Sequence, residues 1–257
     1  MTREMKRASQ GILLSLLLAA SARVEAQEAP PEVAFGNKGH FVVSAERLFG
    51  YVHVAQTQDD SPNNPMSKAT TTTNSYSFLG SSINTLASIF TFPRVGFDAF
   101  VTPGLSVGAA LTYFHLSSNN DFAFGGSPDN VASSTISGYL LAPRVGYAIL
   151  VGRKAWVWPR VGFTYVSLSN TSSNGAASAP PTSTSTGSTS LTAITVEALF
   201  AIGLGSQAVL LIGPTVDIGL SGTAKSGGTS GAVSNPSQSS SAKESDIGLQ
   251  AGVALSF

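Results

Sequence analysis

Three arginines recur in one pentapeptide context: Arg94 in PRVGF (93–97), Arg144 in PRVGY (143–147) and Arg160 in PRVGF (159–163). A guanidinium stays charged in a protein and presents five donors in a planar fork, so its natural chemistry is a bidentate grip on carboxylates. Charged residues make up only 11% of the chain, so an arginine repeated inside apolar runs needs acids brought to it from elsewhere. Glu46, Asp98, Glu197 and Asp217 are the candidates. A second pattern, His115 and Ser117 in HLSSN, puts a base and a hydroxyl two residues apart, the pairing nucleophilic catalysis uses. His40 and His53 stand among scattered acids without metal-ligand spacing, and there is no cysteine to supply a thiolate. The glycines form no phosphate-cradling loop ahead of a helix. No metal and no cofactor is therefore expected.

The elements that position these residues read with period two. From Leu105, the apolar Leu105, Val107, Ala109, Leu111 and Tyr113 alternate with Ser106, Gly108, Ala110 and Thr112. At the C-terminal end Ile247, Leu249, Ala251, Val253, Leu255 and Phe257 alternate with Gly248, Gln250, Gly252, Ala254 and Ser256. Alternation means strand. Similar segments cover residues 41–54, 89–101, 137–150, 155–166, 192–202 and 208–220, eight in all. Each exceeds the usual globular strand of about five or six residues and is long enough to cross hydrocarbon at a tilt. Short turns at 102–104, 151–154 and 203–207 alternate with Ser, Thr, Asn and Gly-rich stretches at 57–87, 117–136, 167–191 and 221–245. This wiring predicts an all-β fold: an eight-stranded antiparallel up-and-down transmembrane β-barrel with four long outer loops and three short periplasmic turns. The even strand count leaves both termini in the periplasm. The nearly uncharged, low-complexity loops bury too little apolar area to fold alone and read as mobile.

Parity then explains the arginines. Within each pentapeptide Pro, Val and the aromatic residue face one way, Arg and Gly the other. Facing Arg94, Arg144 and Arg160 to lipid at mid-depth would cost roughly 2 to 4 kcal/mol each, so they face the lumen. Asp98, Glu197 and Asp217 share that parity, and Glu46 lies opposite the apolar Phe41, Val43 and Ala45. The expectation is a lumen network of Glu46, Arg94, Asp98, Arg144, Arg160, Glu197 and Asp217. In a barrel of about eight strands such side chains fill the interior, which argues against an open channel. Pro93, Pro143, Pro159 and Pro214 predict local bulges, since proline cannot donate to the ladder. Strict alternation sends Arg47 to lipid unless a bulge near 46–47 turns it inward, which would balance four arginines with four acids. Trp156 and Trp158 share the parity of Arg160, so they either plug the short-turn end or mark a slip of register. Tyr113, Tyr147, Tyr165 and Phe257 are the outward aromatic girdle candidates.

The ends fix the cell compartment expected. Arg3, Lys6 and Arg7 precede the apolar run GILLSLLLAA, a secretory signal peptide over residues 1–26 cleaved after Ala26. Residues 27–38 form a short periplasmic segment, and 39–257 the barrel. Cleavage removes Arg3, Lys6, Arg7, Arg23, Glu4 and Glu25 from the fourteen basic and fourteen acidic residues of the chain, leaving ten against twelve. A slightly acidic exported chain has no electrostatic footprint for nucleic acid. The sequon at Asn170 fits the glycosylation pattern but falls in a chain with bacterial envelope features.

In this architecture and in the terminal IGLQAGVALSF the chain resembles the small outer-membrane protein A-like β-barrels of Gram-negative bacteria. The resemblance implies that Leu249, Ala251, Val253, Leu255 and Phe257 form the assembly signal read by the barrel assembly machinery. It also implies residence in the bacterial outer membrane, among outer-membrane lipids and lipopolysaccharide, with loops outside. It implies no single activity, because fold and function separate. A non-enzymatic structural or surface role is the leading expectation, with the loop partner unidentified. The spacing of His115 and Ser117 resembles that of outer-membrane lipid A deacylases, which makes an enzyme the alternative. A narrow pore is the third reading.

Overall fold

The computed structural model describes residues 35–59, 68–78, 90, 92–122, 130–176, 183–231 and 233–257. The expected signal peptide, its cleavage point after Ala26 and the expected strand start at Ile89 lie outside them. Ten strands follow one another: β1 (Phe41–Asp59), β2 (Lys68–Phe78), β3 (Arg94–Phe100), β4 (Leu105–Phe122), β5 (Asn130–Tyr147), β6 (Ile149–Gly152), β7 (Ala155–Ala176), β8 (Ser183–Gly203), β9 (Ala208–Ser230) and β10 (Val233–Ser256). Hydrogen bonding runs β10-β9-β8-β7-β5-β4-β3-β1, and β1 bonds β10 in turn, closing an eight-membered antiparallel ring. β2 extends the wall beside the distal half of β1, and β6 continues β5 along β7. Full closure leaves no edge in the part of the wall that holds the arginines.

The outer face carries an apolar belt. Leu249, Val253, Leu255 and Phe257 of the last strand, and Val95, Val145 and Val161 of the three pentapeptides, are all exposed on it. Arg94, Arg144 and Arg160 are 2%, 7% and 3% exposed, against 57%, 45% and 48% for the valines that follow them. The register is therefore arginine in, valine out. The apolar alternation of residues 247–257 spans about 26 Å along the axis at about 3.4 Å per residue and about 40° of tilt, matching the roughly 25 Å band of a membrane barrel. The fold is that of an eight-stranded transmembrane β-barrel.

Two details differ from the sequence reading. The expected long loops are largely ladder: residues 167–174 pair with 183–190, and 223–230 with 233–241, as upward continuations of the barrel strands. An expected loop over 57–87 also contains β2, paired with β1 from Phe49↔Phe78 to Asp59↔Lys68. Such stretches bury little apolar area, but strands already aligned below them supply the register. Cross-strand hydroxyl bonds then join the rungs, as between Ser133 and Ser173 at 2.6 Å, Ser137 and Ser169 at 3.0 Å, and Thr192 and Ser221 at 2.9 Å.

The second correction concerns proline. Pro93 sits just before β3, and the register continues unshifted through Pro143, Pro159 and Pro214. No bulge is needed there, because a strand proline forfeits a donor toward one neighbour only. At Pro143 the pairing with β4 is continuous while the β5–β7 ladder skips from Leu141 to Arg144 at constant register.

Candidate functional site

The inward residues of a single strand, read from the short-turn end upward, give the plan of the lumen. On β7 they are Trp156, Trp158, Arg160, Gly162, Thr164 and Val166; on β8, in the reverse chain direction, Ala201, Leu199, Glu197, Thr195, Ala193 and Leu191. Apolar residues at both ends enclose a charged and hydroxyl-bearing middle. The lumen is thus three layers: an aromatic plug, a charge layer and an apolar cap.

The charge layer is a chain of alternating sign. Arg144 grips Glu46 with two bonds, Nη1 to Oε2 at 2.6 Å and Nη2 to Oε1 at 2.8 Å. The same guanidinium donates to Asp98 through Nη2 at 2.5 Å and Nε at 3.1 Å. Arg160 bridges Glu46 at 2.8 Å and Glu197 at 2.5 Å. Arg47 then joins Glu197 at 3.2 Å to Asp217 at 2.8 Å. Ser44 donates to Glu46 at 2.7 Å, and Thr195 donates to Asp217. Glu244 and Asp246 of β10 are buried as well, with Asp246 opposite Asp217 in the β9–β10 register. The four arginines and Glu46, Asp98, Glu197 and Asp217, all buried, balance among themselves. That balance matters where water cannot screen: an ion left without its partner keeps the whole desolvation penalty.

Local backbone and small residues make this geometry possible. Arg47 takes φ 56°, and the β1–β10 register shifts between Ala45 and Phe49. The shift turns Arg47 into the lumen beside Glu46, against strict alternation. A Cβ at Gly96 would fall 2.5 Å from Arg144 Nη2 and 2.9 Å from Glu46 Oε1, so only glycine leaves space for that pair. Arg94 lies opposite Glu46 in the β1–β3 register, yet its Nη2 donates to the Phe90 carbonyl at 2.6 Å. Arg47 Nη1 donates to the same carbonyl oxygen.

The seals are apolar. Phe35 packs on Phe100, Trp156 and Trp158 with ring centroids 5.1 to 5.3 Å apart. Both tryptophans are therefore plug residues and not a register slip. Trp158 also meets the charge layer, with the Arg160 guanidinium 4.5 Å from its ring centroid and its indole N–H donated to Ser106 at 3.1 Å. Above the charges, Phe90, Ala110, Leu140, Ala142, Val166, Leu191 and Ala193 form the cap. Two cavities of about 10 Å³ adjoin the arginines, each at the threshold for one water and far from a conduit.

His115 and Ser117 both lie on the outer face of β4, opposite Ser137 and Thr135. Among the described residues no carboxylate is hydrogen-bonded to His115, so the pair lacks the orienting acid that an activated hydroxyl needs. Leu249, Val253, Leu255 and Phe257 face outward on β10, with Ala251 half-buried between them. Phe257 exchanges backbone bonds with Phe41 at 2.9 and 3.1 Å, so this strand forms the closing seam with β1. Phe35 is the contributor that alternation could not reveal, since it enters the lumen from outside any expected strand. Phe90 lies in the expected segment 89–101 with the parity of Arg94 and is buried, although β3 itself begins only at Arg94. Arg47 left one clue, the four-to-four charge balance.

No family model matches the chain, and no curated protein is found similar to it. Among solved structures it is similar to the outer membrane protein OprG from Pseudomonas aeruginosa, at 11% identity over 88% of this chain and 99% of that one, with a TM-score of 0.45. It is also similar to the outer membrane protein AlkL in lipid bilayers, at 14% identity over 92% and 96%, TM-score 0.39. A third is the outer membrane protease OmpT from Escherichia coli, at 9% identity over 91% and 99%, TM-score 0.39.

Proposed function

We propose that this chain, an outer-membrane-type β-barrel by fold, is a non-enzymatic integral protein of the bacterial outer membrane with a structural and surface role. The observation that carries the reading is the combination of an outward apolar belt with a lumen occupied through its depth. A closed interior leaves the outside of the molecule as its working surface. In this reading the three short turns and both termini are periplasmic. The Ser- and Thr-rich hairpins stand outside: residues 221–230 of β9 rise about another 25 Å above the belt at the same rise and tilt. Uncharged hydroxyl rungs on a laddered support make these hairpins stalks that hold their connecting segments clear of the lipopolysaccharide. Leu249, Ala251, Val253, Leu255 and Phe257 serve as the assembly signal and then as lipid-facing wall.

The test is fractionation of cells followed by gels of boiled and unboiled samples, together with protease treatment of intact cells. The protein should appear in the outer-membrane fraction, migrate faster unboiled, and be cut in the connecting segments between the tall strands. Recovery in a soluble fraction, or migration unchanged by boiling, would refute the placement. Cleavage only after the periplasm is opened would reverse the orientation.

A further inference from the structure

The charge layer contains a second kind of site, formed by polar atoms that its ion pairs do not use. Gln250 of β10 is buried, and neither its amide oxygen nor its amide nitrogen meets a protein hydrogen-bonding group. The Thr215 hydroxyl of β9 and the Nε atoms of Arg47 and Arg160 are in the same position. The cause is legible in the register. Gln250 is flanked by Gly50 on β1 and Gly213 on β9, which offer it no side chain. Thr215 has Gly248 as its β10 neighbour and, on β8, Glu197, whose carboxylate is taken by Arg47 and Arg160. Glu46, Arg47, Arg160, Glu197, Thr215 and Gln250 all line one cavity of about 10 Å³.

We infer that this cavity is a binding site for one resident water molecule, held by Gln250, Thr215 and the Nε–H groups of Arg47 and Arg160. Size and chemistry select that guest. The volume is about that of one water-sized probe, and a buried water needs two to four polar partners. The partners are mixed: the guanidinium Nε–H groups only donate, the amide oxygen only accepts, and the hydroxyl does either. An anion could satisfy the donors but would leave the amide oxygen orphaned beside Glu46 and Glu197. A metal cation or ammonium would satisfy the acceptors but meet two guanidiniums. Water donates and accepts at once. Bound there, it completes the hydrogen bonding of the arginines on the side their carboxylates leave open, and it ties the β9–β10 wall to the ion-pair chain.

A crystal structure of the barrel at a resolution that shows ordered waters tests the assignment. The expected result is a density peak about 2.7 to 3.2 Å from a Gln250 amide atom and from Thr215 Oγ1 or an arginine Nε. A cavity without density would overturn it, as would a Gln250 amide bonded directly to Glu46 or Glu197. A peak with anomalous signal after a bromide soak would show an anion and overturn it too. A second measurement uses the gel-shift midpoint on heating. Gln250→Ala leaves space for further water, whereas Gln250→Met fills the cavity and strands Thr215 and both Nε–H groups. The Met variant should unfold about 2 to 4 °C lower than the Ala variant; an equal or reversed order counts against a water.

Discussion

Glu46 is the junction of the charge layer, and its neutralisation should be felt throughout the barrel. It accepts two bonds from Arg144 at 2.6 and 2.8 Å, one from Arg160 at 2.8 Å and one from Ser44 at 2.7 Å. Glu46→Gln preserves its shape but removes the carboxylate charge that Arg144 and Arg160 share. It also presents an amide N–H₂ to a guanidinium where an oxygen accepted before. Removing one partner of a buried ion pair costs about 3 to 5 kcal/mol. In a domain of this size that corresponds to a midpoint lowered by roughly 6 to 20 °C, at about 2 to 4 °C per kcal/mol.

Arg160→Gln creates the opposite imbalance and gives up the bonds to Glu46 and Glu197 and the stacking on Trp158. Combining the two restores the net charge of the parent, and paired amides can donate to and accept from each other. The double variant should therefore be less destabilised than the sum of the singles by about 0.5 to 3 kcal/mol. All four proteins can be compared by the temperature of the gel shift and by urea midpoints in one lipid or detergent. Two results would refute the reasoning. One is a Glu46→Gln midpoint within about 1 to 2 °C of the parent, the equivalent of about 0.5 kcal/mol. The other is a pair of single effects that add to the double within about 0.5 kcal/mol.

The belt makes a depth-dependent prediction on one strand. Val161→Arg, in the apolar band of β7, should destabilise the folded barrel by about 2 to 4 kcal/mol. Thr171→Arg, exposed higher on the same strand, should change it by no more than about 0.5 kcal/mol. Equal effects in a urea titration would mean that the band does not sit in lipid. For His115 and Ser117, mass spectrometry of lipid A from cells carrying Ser117→Ala should match that from cells carrying the parent chain. A lipid A species that depends on Ser117 would restore the enzyme reading.

Much of the fold was legible because a membrane barrel is written in parity. Val95, Val145 and Val161 outside, with Arg94, Arg144 and Arg160 inside, follow from alternation and the price of a charge in hydrocarbon. The same rule located Asp98, Glu197 and Asp217. Parity speaks only of residues already in strands, so Phe35 gave no signal. The low-complexity stretches misled for a related reason. Composition alone marks residues 167–176 as loop, since an isolated segment so poor in apolar residues has little to fold on. Carried on β7, the same residues need only continue a ladder whose register is already set. Proline misled in the other direction, because the rule counts a lost donor without asking whether that donor faced an available acceptor.

Two departures from regular strand structure lie at Arg47 and just before Arg94. β1 reaches its second neighbour in two pieces, β3 beside its first residues and β2 beside its last. Phe90 is buried in the lumen, four residues before Arg94, with its carbonyl taken by Arg47 and Arg94. Opposite this break, Arg47 adopts a left-handed backbone conformation, which in a non-glycine residue costs of order 1 to 3 kcal/mol. The regular alternative is worse on two counts. Arg47 would point into hydrocarbon at roughly 2 to 4 kcal/mol, and Asp217 would lose the only arginine that forms an ion pair with it among the described residues. A strained residue at 47 and an inward turn at 90 are therefore the less expensive arrangement. The wall bends where Arg47 and Arg94 share the Phe90 carbonyl, and stays regular where Arg144 and Arg160 meet their acids.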